Sequence, residues 1–393
     1  MSYSTQRIKV LIAGVCSLTL MMGVARFAYT PMLPLMQAQA GLTTEQGAWL
    51  ASINYLGYLS GVLISALISN MQLKDRLYRI GIVLAIVTTL MMALSTHWLV
   101  WSVSRYFAGL SSAAGLMLGS GLVLNWLMRH HFRSELGIHF AGIGMGIFVT
   151  SVLVDQLQHG FVWDQQWLWL TAVGLVLAIP AWFWLPRPKD SHMTVGGKAF
   201  EDRPPGTLFL RVFMAAYFCA GIGYVVSATF IVAIVEQLPG LQGEGNLAFM
   251  LVGLAAIPAT VIWDRVARVT GDLNALIIAS LLHIVGIGLP LLSNSLLPVL
   301  LSALLFGGTF VGIVSLVLTM AGRYYPSRPA KMMGRMTFSY SIAQILAPAL
   351  IAVTAKAQAG YSHGLYLATG AMVIGTVLLL ILKRLESRTT SAS

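Results

Sequence analysis

The sequence predicts an all-α integral membrane protein with twelve transmembrane helices. Three observations carry this. Hydrophobic residues make up 57% of the 393 positions and charged residues only 9%, with a mean hydropathy of +0.80, whereas a soluble domain carries roughly 25% charge. Apolar runs that reach or approach the roughly 20 residues needed to cross a bilayer recur twelve times. The basic residues fall almost entirely on one side of the membrane when those runs are threaded through it.

The first run, 8–36, is too long for a signal-peptide core and holds Arg26 where a small-residue cleavage site would stand, so it reads as a retained helix. The second spans 44–69. The third, 78–96, follows the polar stretch "KDRLYR" and ends at Ser95, Thr96 and His97. A fourth run, 98–128, opens on Trp98, and a fifth, 134–155, is dense in glycine. The sixth, 165–186, begins between Trp163 and Trp167, residues suited to an interfacial belt. Then "PRPKDSHMTVGGKAFEDRPPG" (186–206), rich in Pro, Gly and charge, interrupts the apolar pattern. Six more runs follow at 207–236, 244–262, 270–292, 294–321, 330–355 and 361–382. The expected organisation is a six-helix bundle over 1–186, a cytoplasmic linker at 187–206 and a second six-helix bundle over 207–393.

With a cytoplasmic N-terminus, 21 of the 24 Lys and Arg residues fall in cytoplasmic segments, Lys356 falls outside, and Arg26 and Arg105 lie within helices. The formal charge of +11 therefore reads as topology, with both termini cytoplasmic, and not as nucleic-acid binding. Cys16 and Cys219 both sit in apolar runs, so neither a disulfide framework nor a metal site is expected. A phosphate-binding G-x-x-x-x-G-K-[ST] loop is absent from the sequence, which argues against ATP-driven pumping by this chain. No cofactor is expected. His130, His131 and Glu135 could be read as an acid/base cluster, but beside Arg129 and Arg133 they read better as a solvated loop.

Two stretches echo each other. "KDRLYR" supplies Asp75, Arg76 and Arg79, and "WDRVAR" supplies Asp264, Arg265 and Arg268; both read D-R-x-x-R at the second cytoplasmic junction of their half. A single charge run at a helix end is simple anchoring, but two at equivalent places fit a parallel six-helix repeat. The first resembles the loop 2–3 motif G-x-x-x-D-R-x-G-R of the major facilitator superfamily, with Met71 and Tyr78 in place of its glycines. "RYFAGLSSA" (105–113) is similar to the R-x-x-x-G motif of the superfamily's fourth helix, and "GIHFAGIGMG" (137–146) matches the glycine density, without the proline, of its fifth. "RFAYTPMLPLM" (26–36), "LASINYLGYLSG" (50–61) and "GYVVSATF" (223–230) look like the YbfB/YjiJ branch. The resemblance spans the chain and implies the major facilitator fold, alternating access and helices 1, 4, 7 and 10 around a cavity. It also implies a latch in which the carboxylates at 75 and 264 cap a helix and the neighbouring arginines bridge the bundles.

Charge at mid-bilayer is costly, roughly 2.5–3.5 kcal/mol per residue on insertion scales, and persists where it faces a cavity or a partner. None of the 13 acidic residues falls near the middle of a predicted helix; Asp155 and Glu236 come closest, at the outer ends of helices 5 and 7. Arg26 shares a helix face with Tyr29 and Thr30 and stands below Pro31 and Pro34. It reads either as a solute-binding cation or as a structural one satisfied by the carbonyls the prolines free. Arg105 has the same two readings. Asn54 and Tyr58, one turn apart, and Tyr224, placed in the second half much as Arg26 is in the first, complete the candidate solute site. Among buried histidines, His139 is a better proton carrier than His283, which falls on a peripheral helix. Glycines four apart, as at Gly57 and Gly61, read as close helix packing.

The expected function is secondary transport of a small anionic, zwitterionic or amphipathic solute by a monomer in the inner (cytoplasmic) membrane, coupled to protons, with efflux favoured over uptake. The alternatives are a polyspecific drug exporter, which the missing buried acid disfavours, and a non-enzymatic membrane sensor. An enzyme is not expected.

Overall fold

The structure is a computed structural model that describes residues 3–130, 132, 136–188, 205–324, 329–354 and 361–390. Among these residues there is no strand and there are twelve membrane-length helices. They are α1 (Thr5–Ala40), α2 (Thr44–Leu67), α3 (Met71–Leu94), α4 (Trp98–Arg129), α5 (Leu136–Leu157) and α6 (Trp163–Phe183), then α7 (Thr207–Gln237), α8 (Gly245–Thr270), α9 (Asp272–Leu292), α10 (Leu296–Tyr324), α11 (Met332–Thr354) and α12 (His363–Glu386). Most of the linker expected at 187–206 lies outside the described residues, as do His131, Arg133, Glu135, Lys189, Lys198, Arg203, Arg328 and Lys356.

Local chemistry sets where several helices begin and end. Thr43 and Gln46 form a reciprocal cap on α2, each side chain accepting from the other's backbone N–H at 3.1 Å. Gly41, in a left-handed conformation at φ 71°, closes α1 just before it. Asn70 caps α3 by accepting from Leu73 N–H at 3.0 Å. That cap starts α3 at Met71, seven residues before the apolar run expected from 78. At the other echo, α8 runs on to Thr270, past the expected end at 262. Both differences have one cause: polar residues lower local hydropathy without interrupting a helix that leaves the bilayer. Both D-R-x-x-R stretches are therefore helical, one opening α3 and the other closing α8.

Helix α1 is not uniform. Thr19–Phe27 winds as a π-helix, with Ala28 N–H reaching back to Gly23 O at 2.8 Å, and α-helix resumes from Tyr29. A second π segment, Ala114–Gly119, interrupts α4. Such segments widen a helix by one residue per turn and gather at functional sites.

The first six helices pack together through α2–α4, α3–α4, α3–α6 and α1–α5, and the last six through α8–α10, α9–α10, α7–α12 and α7–α11. The two groups meet along α5–α8, α2–α11 and α1–α7. At the α5–α8 contact a Cβ on Gly144 would lie 2.5 Å from Ile257 N and 2.7 Å from Gly253 O, so only glycine allows the backbones this close.

The α1–α7 contact seals one end of the molecule. On the face away from the termini, Thr30 donates to Ala228 O at 2.8 Å, Tyr55 and Thr229 share a hydrogen bond of 3.0 Å, and Gln37 donates to Tyr361 Oη at 2.9 Å. Tyr361 in turn donates to Thr44 O at 3.2 Å and stacks on Phe230 with centroids 4.5 Å apart. Every residue from 17 to 33 in α1 and from 223 to 235 in α7 is buried. On the terminus side the same two helices alternate buried, half-buried and exposed positions, and α4 and α10 make no extended contact there among the described residues.

Candidate solute site between the bundles

Arg26, the penultimate residue of the π segment of α1, directs its side chain between two rings of α2. The guanidinium carbon lies 4.5 Å from the Tyr55 centroid, 4.5 Å from the Tyr58 centroid and 5.5 Å from that of Phe27. Its Nη1 contacts the Met22 sulfur at 4.0 Å, and Nε has no partner. The residue is 4% exposed. No carboxylate answers it: among the described residues Asp75 alone is a buried acid, and it sits at the start of α3. Arg26 is thus a desolvated cation held by aromatic faces, with a donor left over.

Arg105 is the other arginine of the interior, and its terminal nitrogens are spent. Nη1 donates to Ala25 O at 3.2 Å and to Arg26 O at 3.4 Å, and Nη2 donates to Arg26 O at 3.4 Å. The guanidinium also lies 4.3 Å from the Tyr29 ring centroid. Tyr29 is committed too, donating to Gly47 O at 2.9 Å. Asn54 donates to Arg105 O at 2.8 Å, while its Oδ1 has no partner. Of the six residues expected to bind solute, Tyr29, Asn54 and Arg105 therefore knit α1, α2 and α4 together. Arg26, Tyr58 and Tyr224 face the interface between the bundles, and the carbonyls of Ala25 and Arg26 go to Arg105.

Across that interface stands a wall of rings. Tyr224 packs near-parallel to Phe306 (6.4 Å, 12°) and Phe310 (5.3 Å, 28°), and against Tyr340 at 5.8 Å. Tyr340 stacks on Tyr217 at 4.5 Å. The Tyr55, Tyr58 and Tyr224 side chains all lie within electrostatic reach of Arg26. Gln344, one turn beyond Tyr340 on the same face of α11, keeps an unpartnered Oε1, and Ser341 an unpartnered Oγ, both buried. Tyr55, Tyr217, Phe306, Phe310, Tyr340 and Gln344 were not among the sequence candidates. A signal existed: Tyr217 and Tyr224 are seven apart, Phe306 and Phe310 four apart, each pair on one helix face.

The two echoed motifs differ in three dimensions. Asp75 and Arg79 form a buried pair at 3.1 Å. Arg79 also donates to Trp182 O and to Leu185 O (3.2 Å) at the end of α6. The pair thus ties α3 to α6 within the first six helices and, in this conformation, bridges nothing across the interface. Asp75 caps no helix here, and its Oδ1 is unpartnered. Tyr78, which replaces a motif glycine, is buried against Gly119 and donates to Ala181 O at 3.2 Å. Asp264 and Arg268 pair at 2.7 Å with side chains 50% and 75% exposed, and Arg76 and Arg265 are exposed.

His139 is fully buried at the terminus-side end of α5. Its Nε2 lies 2.9 Å from Ser120 Oγ, and its Nδ1 is unpartnered beside Gly14. His283 Nδ1 meets Thr309 Oγ1 at 2.7 Å. Glu236 accepts from the backbone N–H of Gly243 and Gly245 at 2.8 and 3.0 Å, fixing the α7–α8 turn. Among the described residues no group of three His, Cys, Asp or Glu could hold a metal.

Residues 18–380 match the family described as "Uncharacterised MFS-type transporter YbfB". The chain is 23% identical over 275 residues to "Uncharacterized MFS-type transporter YceJ" of Bacillus subtilis (strain 168), covering 68% of this chain and 69% of that one. Among solved structures it resembles a mutant of the nucleoside transporter NupG, with TM-score 0.71 and 12% identity, over 95% of this chain and 99% of that one. It also resembles NupG itself, with TM-score 0.68 and 12% identity over 96% and 98%. At this identity the likeness establishes the fold.

Proposed function

The chain belongs to the YbfB family of MFS-type transporters, and from that premise we propose that it exports a small solute bearing an anionic group, coupled to protons, across the cytoplasmic membrane. The carrying observation is Arg26: a buried guanidinium with no acid opposite it and a free Nε, set where the two bundles meet. A cavity made for lipophilic cations needs the reverse charge. With the termini cytoplasmic, the sealed face is the outer one, and the lack of an extended α4–α10 contact among the described residues supports a state closed on the outside, the one in which an exporter loads. The α1–α7 seal must part, and the terminus-side halves of α4 and α10 must close, for release outside. Asp75, Arg76 and Arg79, with Asp264, Arg265 and Arg268, lie on the terminus-side rim where that closure forms. The unpartnered Oδ1 of Asp75 is available to a helix end arriving from the other bundle.

His139 is the proton carrier of this reading, since its Ser120 contact links α5 to α4 beside a π segment. The test is flux of radiolabelled organic anions in proteoliposomes under an imposed pH gradient. Gradient-driven accumulation is expected, and His139→Gln should abolish the gradient dependence where His283→Gln leaves it. Flux of these anions indifferent to the gradient in the intact protein rejects proton coupling, and no flux of any anion rejects the solute class.

A further inference from the structure

We infer that the Arg26 site selects a flat aromatic monoanion, such as an aromatic carboxylate, over aliphatic anions, dianions and uncharged rings; this rests on the transport reading above and names the solute class of that site. The charge count comes first. Two arginines reach the interior at this level, but Arg105 directs its terminal nitrogens into the carbonyls of Ala25 and Arg26. One cation remains to neutralise one negative charge. A phosphate monoester or a nucleotide would bury a second charge with nothing opposite it, a severe desolvation penalty in a bilayer interior.

The ring count comes second. Arg26 is sandwiched by Tyr55 and Tyr58 from the first bundle, and the facing wall consists of Tyr224, Phe306, Phe310 and Tyr340. The last three lie within 31° of parallel to Tyr224, at centroid distances of 5.3–6.4 Å. Near-parallel rings present a slot one ring thick once the bundles separate, and aromatic faces fill such a slot in offset stacks better than a puckered aliphatic ring does. Third, buried polar atoms without partners stand on both sides: Arg26 Nε, Arg105 Nε and Asn54 Oδ1 on the first bundle, and Ser341 Oγ and Gln344 Oε1 on α11. One anionic end, one flat body and a few polar substituents describe the occupant. Buried polar groups are normally paired, so these atoms are the ones a ligand would satisfy.

The experiment is competition binding and proteoliposome flux with four matched probes: benzoate, cyclohexanecarboxylate, benzamide and phenyl phosphate. Benzoate should be bound and carried, and the other three at least roughly tenfold more weakly, each lacking the flat ring, the charge or the single charge. Tyr224→Leu should weaken benzoate roughly three- to tenfold, the scale of one ring contact, and leave cyclohexanecarboxylate unchanged. Tyr366→Leu, which removes an exposed ring of α12 outside the site, controls for the substitution and should bind benzoate as the parent does. Equal flux of benzoate and cyclohexanecarboxylate overturns the aromatic class while leaving anion transport intact. Binding of benzamide equal to benzoate overturns the requirement for charge, and failure to carry any of the four removes the transport reading together with it.

Discussion

The two interior arginines make opposite forecasts for the same substitution. In Arg105→Gln, the carbonyls of Ala25 and Arg26 lose three N–H contacts, and each stranded acceptor costs about 1–3 kcal/mol. The contact with the Tyr29 ring goes as well, a further loss of about 0.5–2 kcal/mol. Against this stands relief of the insertion penalty, about 2.5–3.5 kcal/mol for a central arginine. The balance is destabilisation by about 2 kcal/mol. In Arg26→Gln no carbonyl is stranded; three ring contacts vanish, about 0.5–2 kcal/mol each, and the same insertion relief offsets them. Stability without ligand should therefore stay within about 1 kcal/mol of the parent. Binding reverses the ranking. Loss of a charge-assisted contact of about 1.5–3 kcal/mol weakens anion affinity roughly ten- to hundredfold at Arg26, and Arg26→Lys recovers part of it because an ammonium lacks the planar fork. Arg105→Gln should hold affinity within about threefold, the error of such balances. Apparent Tm without ligand and benzoate affinity, measured on the purified parent and each variant, decide the matter. An Arg26→Gln protein that melts as low as the Arg105→Gln protein and binds the anion unchanged would refute the assignment.

Two further outcomes follow from the packing. Arg79→Gln leaves Asp75 buried and unpaired, so apparent Tm should fall as expected for about 3–5 kcal/mol. Arg268→Gln, at the exposed echo, should change stability by less than about 1 kcal/mol; equal falls would mean that the buried geometry of the first motif is wrong. Gly144→Val drives side-chain atoms into the Ile257 and Gly253 backbones, so flux should drop severalfold more than binding in the state with the α1–α7 seal closed. Parent-like flux from a folded Gly144→Val protein would show that α5 and α8 do not stay in contact through the cycle.

The helix count and order were legible because the bilayer sets a length that the sequence must meet, and twelve runs met it. Boundaries were less legible at Asp75 and Asp264, where hydropathy falls but backbone hydrogen bonding continues into water. The repeat pattern misled in one respect: identical D-R-x-x-R spacing opens one helix and closes another, and only the first finds an end of α6 to grip. At the site, Arg26 stood out because a charge in an apolar run is conspicuous. Its division of labour with Arg105 did not, since which arginine meets the carbonyls depends on how α1 and α4 cross. The ring wall was hidden because aromatic residues are ordinary in membrane helices, and only the meeting of α7, α10 and α11 distinguishes Tyr224 and Tyr340 from lipid-facing rings.

The α1–α7 seal has a consequence for energetics under a membrane potential. Its hydrogen bonds join Thr30 to Ala228 O, Tyr55 to Thr229, and Gln37 to Tyr361 to Thr44 O, and every participant is neutral. Breaking them moves no formal charge through the field, whereas each elementary charge carried across would couple at about 2.3 kcal/mol per 100 mV. Counter-ions have nothing there to screen. The parting of that seal should therefore proceed at the same rate in dilute and concentrated salt and at any voltage, so that any electrogenicity in the cycle belongs to the solute, the proton and the arginine they meet.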